Sequence, residues 1–533
     1  MIVPTRNSKI KLLHMKGDLY AKANTITKTG SARTVVAKKV KKAPSKKKRG
    51  RKSGAQTKIA STLSGPRVTN FAAVGPDPTI DNLQKIESVV VLMLENRSFD
   101  HMLGYLKLEE HRADVDGLTP GLANSDGNVS YPIHHLGTTA FKKKQDPCHS
   151  GACVAGQLSN HNAGFVKNYV ATYPNDPERD LVMGYYNKTD LPVYDHLAAE
   201  FTLCDHWFSS VPGATWPNRL YALTGRADRS KDNKETPIYN IPSFVRHLDA
   251  QGVTWGWYSD NYFAGFYVPT LSLTDANYRW GGNYSFLDDF YKQAESGTLP
   301  SVCWIDPLFV DTRGVSGAND DHPPADVRHG QDLVLNVYHA LTSNPDQWGK
   351  TLLVIVYDEH GGLYDHVSPP PPPNVEDDNP NFRSYGVRVP AFLVSPWVPQ
   401  SYVATTLFDH TSLIKTILLR FCRRADGSIP NMGKRVMAAN HLGGVLTERQ
   451  ARPAPPMEGY QSAISTLASW HGDRFAARFQ PDHVQTSGDQ EPNEFHTGLV
   501  RAAKRLASDQ RKKSASSQRP NTTSSSRGRR KRK

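Results

Sequence analysis

Cysteine is scarce in this chain, with five among 533 residues: Cys148, Cys153, Cys204, Cys303 and Cys422. An odd, scattered set without a Cys-x-x-Cys pair excludes a disulfide framework and a zinc ribbon, and predicts reduced thiols. Cys148 and Cys153 stand close enough in sequence to bridge if the protein is exported. Long apolar runs are also lacking. Val89–Leu94 has the length of a strand, far short of the roughly 20 residues a membrane span needs. The N-terminus is basic but lacks the apolar stretch of a secretory signal. The expectation is a cytoplasmic chain, held at the nucleoid or a membrane surface if its ends attach it there.

Acids are nearly missing from both ends. Residues 1–66 carry 18 Lys and Arg against Asp18 alone, and residues 501–533 carry 13 against Asp509 alone. The body between them keeps 34 bases and 49 acids, so the net charge of +14 belongs to the ends. A uniformly basic nucleic-acid-binding fold is excluded. Aromatics are almost absent from 1–66, and the C-terminal end is Ser, Arg and Lys. Both ends therefore read as disordered basic tails. They suit non-specific nucleic acid or an anionic membrane surface. The body, 67–500, is long enough to bury a large core.

Within the body, Ser88–Leu94 and Thr351–Tyr357 are nearly continuous apolar runs, as are Val387–Val394 and Ser301–Ile305. Such runs suit strands of a parallel sheet covered on both faces. Helical patterns lie between them: Asp326–Thr342 aligns Val327, Val334, Val337 and Leu341, and His410–Phe421 has matching spacing. Pro369–Pro373 and the acids after it mark a long loop between two strands. The alternation predicts an α/β three-layer sandwich with a mostly parallel central sheet.

Ligands of such sheets sit beyond the carboxyl ends of the strands. Two of the strongest strands end in acids there, Glu95-Asn96 and Asp358-Glu359-His360. Carboxylates and an amide oxygen are hard ligands that suit a divalent cation. Strand-end acids also serve as plain helix caps. Gly213-Ala214-Thr215-Trp216-Pro217-Asn218-Arg219 places Thr215 just before a helix start. A helix N-terminus favours phosphate and stabilises an alkoxide; the alternative is that Thr215 merely caps the helix. His322, in an Asp-rich loop, and His149 are candidates to donate to phosphate oxygens or protonate a leaving group.

Together these residues resemble a known family. Glu95-Asn96-Arg97-Ser98-Phe99-Asp100-His101-Met102-Leu103-Gly104 resembles the signature of bacterial phospholipase C and acid phosphatase enzymes, the phosphoesterase family that includes plant non-specific phospholipases C. Thr215-Trp216-Pro217-Asn218-Arg219 is similar to its nucleophile motif. Asp321–Arg328 and Tyr357–Val367 resemble its two later signatures. The four blocks stand in family order over about 85–425.

The resemblance implies an alkaline-phosphatase-like core and a set of roles. Thr215 is the implied nucleophile. Glu95, Asn96, Asp358 and Glu359, with the Thr215 hydroxyl, are implied to hold a single divalent metal of unknown identity. Asn96, Asn218 and Arg219 are implied to bind substrate, and His322 and His149 to meet the phosphoryl oxygens. His360, Asp365, His366 and His410 are expected to support or pack. The implied activity is that of a phosphoesterase, of the phospholipase C type on a phospholipid, through a phosphothreonine intermediate. The alternatives are an acid phosphatase acting on small phosphomonoesters, and a non-catalytic protein that holds nucleic acid or membrane through its tails.

Overall fold

The computed structural model describes residues 70–517 apart from 143, 264–265, 311–316, 374–381, 468 and 471–493. The expected basic tail at 1–66 lies outside the described residues. Those that are described fall within one compact unit, Leu63–Lys533.

Eight strands form the central sheet: β1 (Ser88–Leu94), β2 (Thr202–Cys204), β3 (Trp255–Tyr258), β4 (Tyr284–Ser285), β5 (Val302–Ile305), β6 (Thr351–Tyr357), β7 (Ala391–Val394) and β8 (Tyr402–Ala404). Their spatial order is β4-β3-β5-β1-β6-β7-β2-β8. Only β7 runs against the rest. Every residue of β1 and β6 is buried, as their uninterrupted apolar sequences require of central strands. β7 is shorter than the expected 387–394, beginning after Pro390, whose ring has no N–H to give to a ladder.

The helices that position the site are α1 (Phe99–Leu103), α2 (Gly151–Gln157), α3 (Thr215–Thr224), α4 (Val327–Thr342), α5 (His410–Phe421) and α6 (Glu494–Ser517). α4 and α5 lie where the sequence predicts them, with Asp326 and Asp409 as their N-caps. α5 packs on α3 and the helix Val245–Gln251. α4 packs in a second group, on Pro192–Glu200 and Leu287–Glu295. With the sheet buried on both faces, these two groups make the outer layers of the predicted sandwich.

Two expectations are corrected here. Cys148 and Cys153 form a disulfide across the start of α2, whereas Cys204, Cys303 and Cys422 are free and buried. The C-terminal tail is helical through Ser517. Its apolar residues Phe495, Leu499, Ala502, Ala503 and Leu506 recur at i, i+4, i+7, i+8 and i+11. They seat this face against Trp216, Leu220, Tyr239, Val268, Leu273 and Phe309. That burial supplies what the basic composition hides. Residues 518–533 lie outside the described residues.

Candidate active site

The site grows from the paired ends of β1 and β6. Their parallel register sets Tyr357 beside Leu94, so Glu95 and Asp358 leave the sheet side by side. The next turn is held by backbone: Asp358 N–H donates to Leu94 O at 3.1 Å, and Asn96 N–H donates to Asp358 Oδ1 at 2.9 Å. Asn96 takes a left-handed conformation, φ 56°, which Asn tolerates better than most residues. Ser98 then caps α1 by accepting from His101 N–H.

Thr215 does not cap its helix. Ala214 is the N-cap and Thr215 the first residue of α3, which leaves the hydroxyl for other work. Thr215 Oγ1 donates to Asn96 Oδ1 at 3.3 Å. The same amide reaches His322 Nε2 at 2.9 Å. His322 Nδ1 gives its proton to Pro323 O, 2.6 Å away, so Nε2 accepts from Asn96 Nδ2. Few backbone donors remain at this helix end: Trp216 N–H goes to Asn233 Oδ1, and Pro217 has none. That of Thr215 has no partner among the described residues.

The two histidines are poised oppositely. Their rings stand 5.6 Å apart. Burial, then the neighbouring charges of His149 and His496, hold His322 well below the usual imidazole range. Burial opposes a charge on His149 as well, but Glu359 and Asp146 outweigh it and raise it to about 9. His149 Nδ1 donates to Pro147 O at 3.0 Å, and Nε2 lies 3.4 Å from Asn96 Nδ2.

The carboxylates form a buried anionic pocket. Glu95, Asp358 and Glu359 are fully buried, yet Glu95 Oε2, Asp358 Oδ2 and Glu359 Oε1 have no hydrogen-bond partner among the described residues. Burial raises Glu95 well above the usual carboxyl range, against the pull of Arg219. Burial and Glu359 lift Asp358 to about 7. Three orphaned carboxylate oxygens in a water-poor site are what a divalent cation satisfies, so these residues fit a metal.

A second acidic group, Asp100, Asp365 and His366, also has the spacing of metal ligands. There, however, the guanidinium of Arg388 already stands: 3.1 Å from Asp100 Oδ1 and 3.0 Å from Asp365 Oδ1. His366 adds an ion pair to Asp100 at 2.6 Å.

The remaining expected residues find support roles. Asn218 and Arg219, expected to bind substrate, both make hydrogen bonds to protein, while Arg219 Nη1 has no hydrogen-bond partner among the described residues. Asn218 accepts from Val211 N–H and donates to the carbonyls of Val211, Gly213 and Ala214, fixing the loop before Thr215. Arg219 grips Glu95 through Nε at 2.6 Å and donates to Met93 O. His410 Nε2 donates to Asp358 O at 2.6 Å, and His360 meets Gln157 Oε1 at 2.9 Å. Sequence reasoning missed Phe495 and His496 of α6. Phe495 stacks on His322 with ring centres 6.3 Å apart and lies 5.9 Å from Trp216. His496 pairs with Asp320 at 3.4 Å, whose carbonyl holds Glu95 N–H. The one available signal was the helical spacing of apolar residues from 495 to 506.

The model of the Phosphoesterase family matches residues 86–422. Non-specific phospholipase C6 of Arabidopsis thaliana is 35% identical over 361 residues, 62% of this chain and 67% of that protein. Phospholipase C B of Mycobacterium tuberculosis is 30% identical over 420 residues, 68% of this chain and 77% of its own. Among solved structures, an alkaline phosphatase superfamily protein from Vibrio parahaemolyticus superposes with a TM-score of 0.31. It shows 10% identity over 68% of this chain and 77% of that one.

Proposed function

The chain belongs to the Phosphoesterase family and is a hydrolase of phosphoester bonds; on that premise we propose a phospholipase C-type phosphodiesterase with Thr215 as its nucleophile. The observation that carries this reading is the Thr215 hydroxyl, held by Asn96 at the start of α3 beside three buried carboxylates with orphaned oxygens. The relatives named phospholipase C favour a phospholipid diester over a monoester.

Glu95, Asp358 and Glu359 would hold a divalent metal, with Asn96 and Thr215 at its edge. Such an ion supplies charge neutralisation for the phosphoryl group and a lower pKa for the nearby hydroxyl. Thr215 Oγ, once its proton has passed to solvent, attacks phosphorus in line with the leaving alkoxide, forming an Oγ–P bond as the ester P–O bond breaks. Asn96 Nδ2 and the Thr215 N–H steady the charge on the phosphoryl oxygens. Glu359 and Asp146 favour the protonated form of His149, whose Nε2 stands 3.4 Å from the amide nitrogen of Asn96. That proton is left for the anion or the departing alcohol. His322, held neutral, orients the Asn96 amide. Water then cleaves the phosphothreonine, returning the hydroxyl to Thr215 and releasing the phosphorylated head group.

A substrate panel on the full chain tests this reading. Phosphatidylcholine should be cleaved to diacylglycerol and phosphocholine faster than p-nitrophenyl phosphate is hydrolysed. The reverse preference would make the enzyme a monoesterase on the same site. Thr215→Ala should abolish both reactions with the fold intact; near-normal rates would remove the nucleophile assignment.

A further inference from the structure

α6 has a second face. Arg501, Lys504, Arg505, Ser508, Arg511 and Lys512 are all exposed, and they recur at i, i+3, i+4, i+7, i+10 and i+11. That spacing puts them on one side of a helix, opposite the buried Leu499, Ala502, Ala503 and Leu506. Helical geometry gives this basic stripe a length of about 17 Å. Two exposed aromatic residues belong to segments next to α6. α6 packs against the short strands Tyr262–Phe263 and Phe266–Tyr267. The ring of Tyr267 lies 5.5 Å from Phe286, which is 52% exposed. Arg279 hydrogen-bonds Tyr239 O under α6 and lies within electrostatic reach of Asp509 on the helix. Its neighbour Trp280 is 38% exposed.

We propose that the basic face of α6, with Trp280 and Phe286, is an interfacial docking surface for a bilayer of anionic phospholipid. The charges complement the phosphates of such a surface, each basic residue adding attraction. The two aromatic side chains suit the boundary between head groups and acyl chains. The stripe alone would also take nucleic acid; the two exposed aromatic residues tip the choice to the membrane. The helix that carries the basic stripe also carries, on its opposite, buried face, Phe495 against His322 and Trp216. Docking through α6 would therefore hold a phospholipid surface against the helix whose other face backs the Thr215 site. This consequence rests on the phospholipase reading, whereas the binding itself does not.

The test uses the full chain and co-sedimentation with vesicles of phosphatidylcholine alone or with about one third phosphatidylglycerol. Two variants are compared with the parent: Arg501→Glu/Lys504→Glu/Arg505→Glu, and Trp280→Ser/Phe286→Ser. Hydrolysis of soluble p-nitrophenylphosphorylcholine controls for folding. Expected is a loss of about tenfold or more in binding to the anionic vesicles for the charge variant. A smaller loss is expected for the aromatic variant, with soluble turnover unchanged in both. Undiminished vesicle binding by both variants would overturn the proposal. So would weakened retention of a DNA fragment with vesicle binding intact. If the parent cleaves no phosphorylcholine ester but the vesicle result holds, the phospholipase reading fails and the docking surface stands.

Discussion

The side-chain amide of Asn96 joins the Thr215 hydroxyl to His322: its oxygen accepts from Thr215 Oγ1 at 3.3 Å and its nitrogen meets His322 Nε2 at 2.9 Å. Only an amide serves both partners, since a carboxylate cannot donate. Asn96→Asp should therefore fold, because Asp tolerates the positive φ nearly as well, but lose about 100-fold or more in kcat. Steady-state kinetics with a melting curve separate the two effects.

Arg219 is the counter-charge of a fully buried carboxylate. Arg219→Leu leaves Glu95 uncompensated and should cost about 3–5 kcal/mol of stability. The double variant Arg219→Leu/Glu95→Leu should recover most of that loss while remaining inactive. Denaturant midpoints at a constant slope provide the measurement.

Asp358 is lifted to about 7 by burial and then by Glu359. A carboxyl raised in the folded state favours folding least when ionised, so with chelator present stability should fall as pH rises from about 4 towards 7. Asp358→Asn should lessen that fall, with Glu95 supplying the rest. It should melt higher than the parent in chelator at pH 8, yet lose bound metal and activity. Chelator should lower the melting temperature of the parent and leave the variant unmoved.

The Arg388 cluster should behave differently. Burial disfavours the charged form of His366, but hydrogen bonds to Asp100 and Asp116 raise it to about 10. A histidine raised above its unfolded value stabilises fully below about 6.5, and that stability disappears as pH climbs through about 10. His366→Gln should flatten the stability profile across this window. Metal content measured on the same protein should equal that of the parent; a halved content would move the ion to Asp100 and Asp365.

Gly361 holds φ at +64°, and a Cβ there would overlap the carbonyl oxygen of Asn96. Gly361→Ala should cost stability through both effects, and activity through displacement of Asn96. A melting temperature equal to that of the parent would show that the turn yields freely.

Much of this was legible in the sequence because it is local. β1 and β6 are uninterrupted apolar runs, and the acids that follow them fall at the sheet edge by chain continuity alone. What was illegible depends on distant partners. Nothing near Arg219 shows that it will spend its guanidinium on Glu95, 124 residues away. Asn218 looks like a polar residue offered to substrate until its loop closes on it. α6 escaped notice because its buried face is built largely of Ala502 and Ala503, small residues within a basic stretch. The Cys148–Cys153 pair was visible from its spacing, but the odd cysteine count favoured reduced thiols.

The pairing of β1 with its two neighbours also sets a timetable. β1 is made early, but it lies between β5 and β6, and Asn96 and Asp358 are 262 residues apart. At ordinary ribosomal rates the apolar strand and its acid wait on the order of ten seconds or more for a partner. A nascent chain stalled before Val302 would present this largely apolar strand without either neighbour, and so would be a natural client of chaperones.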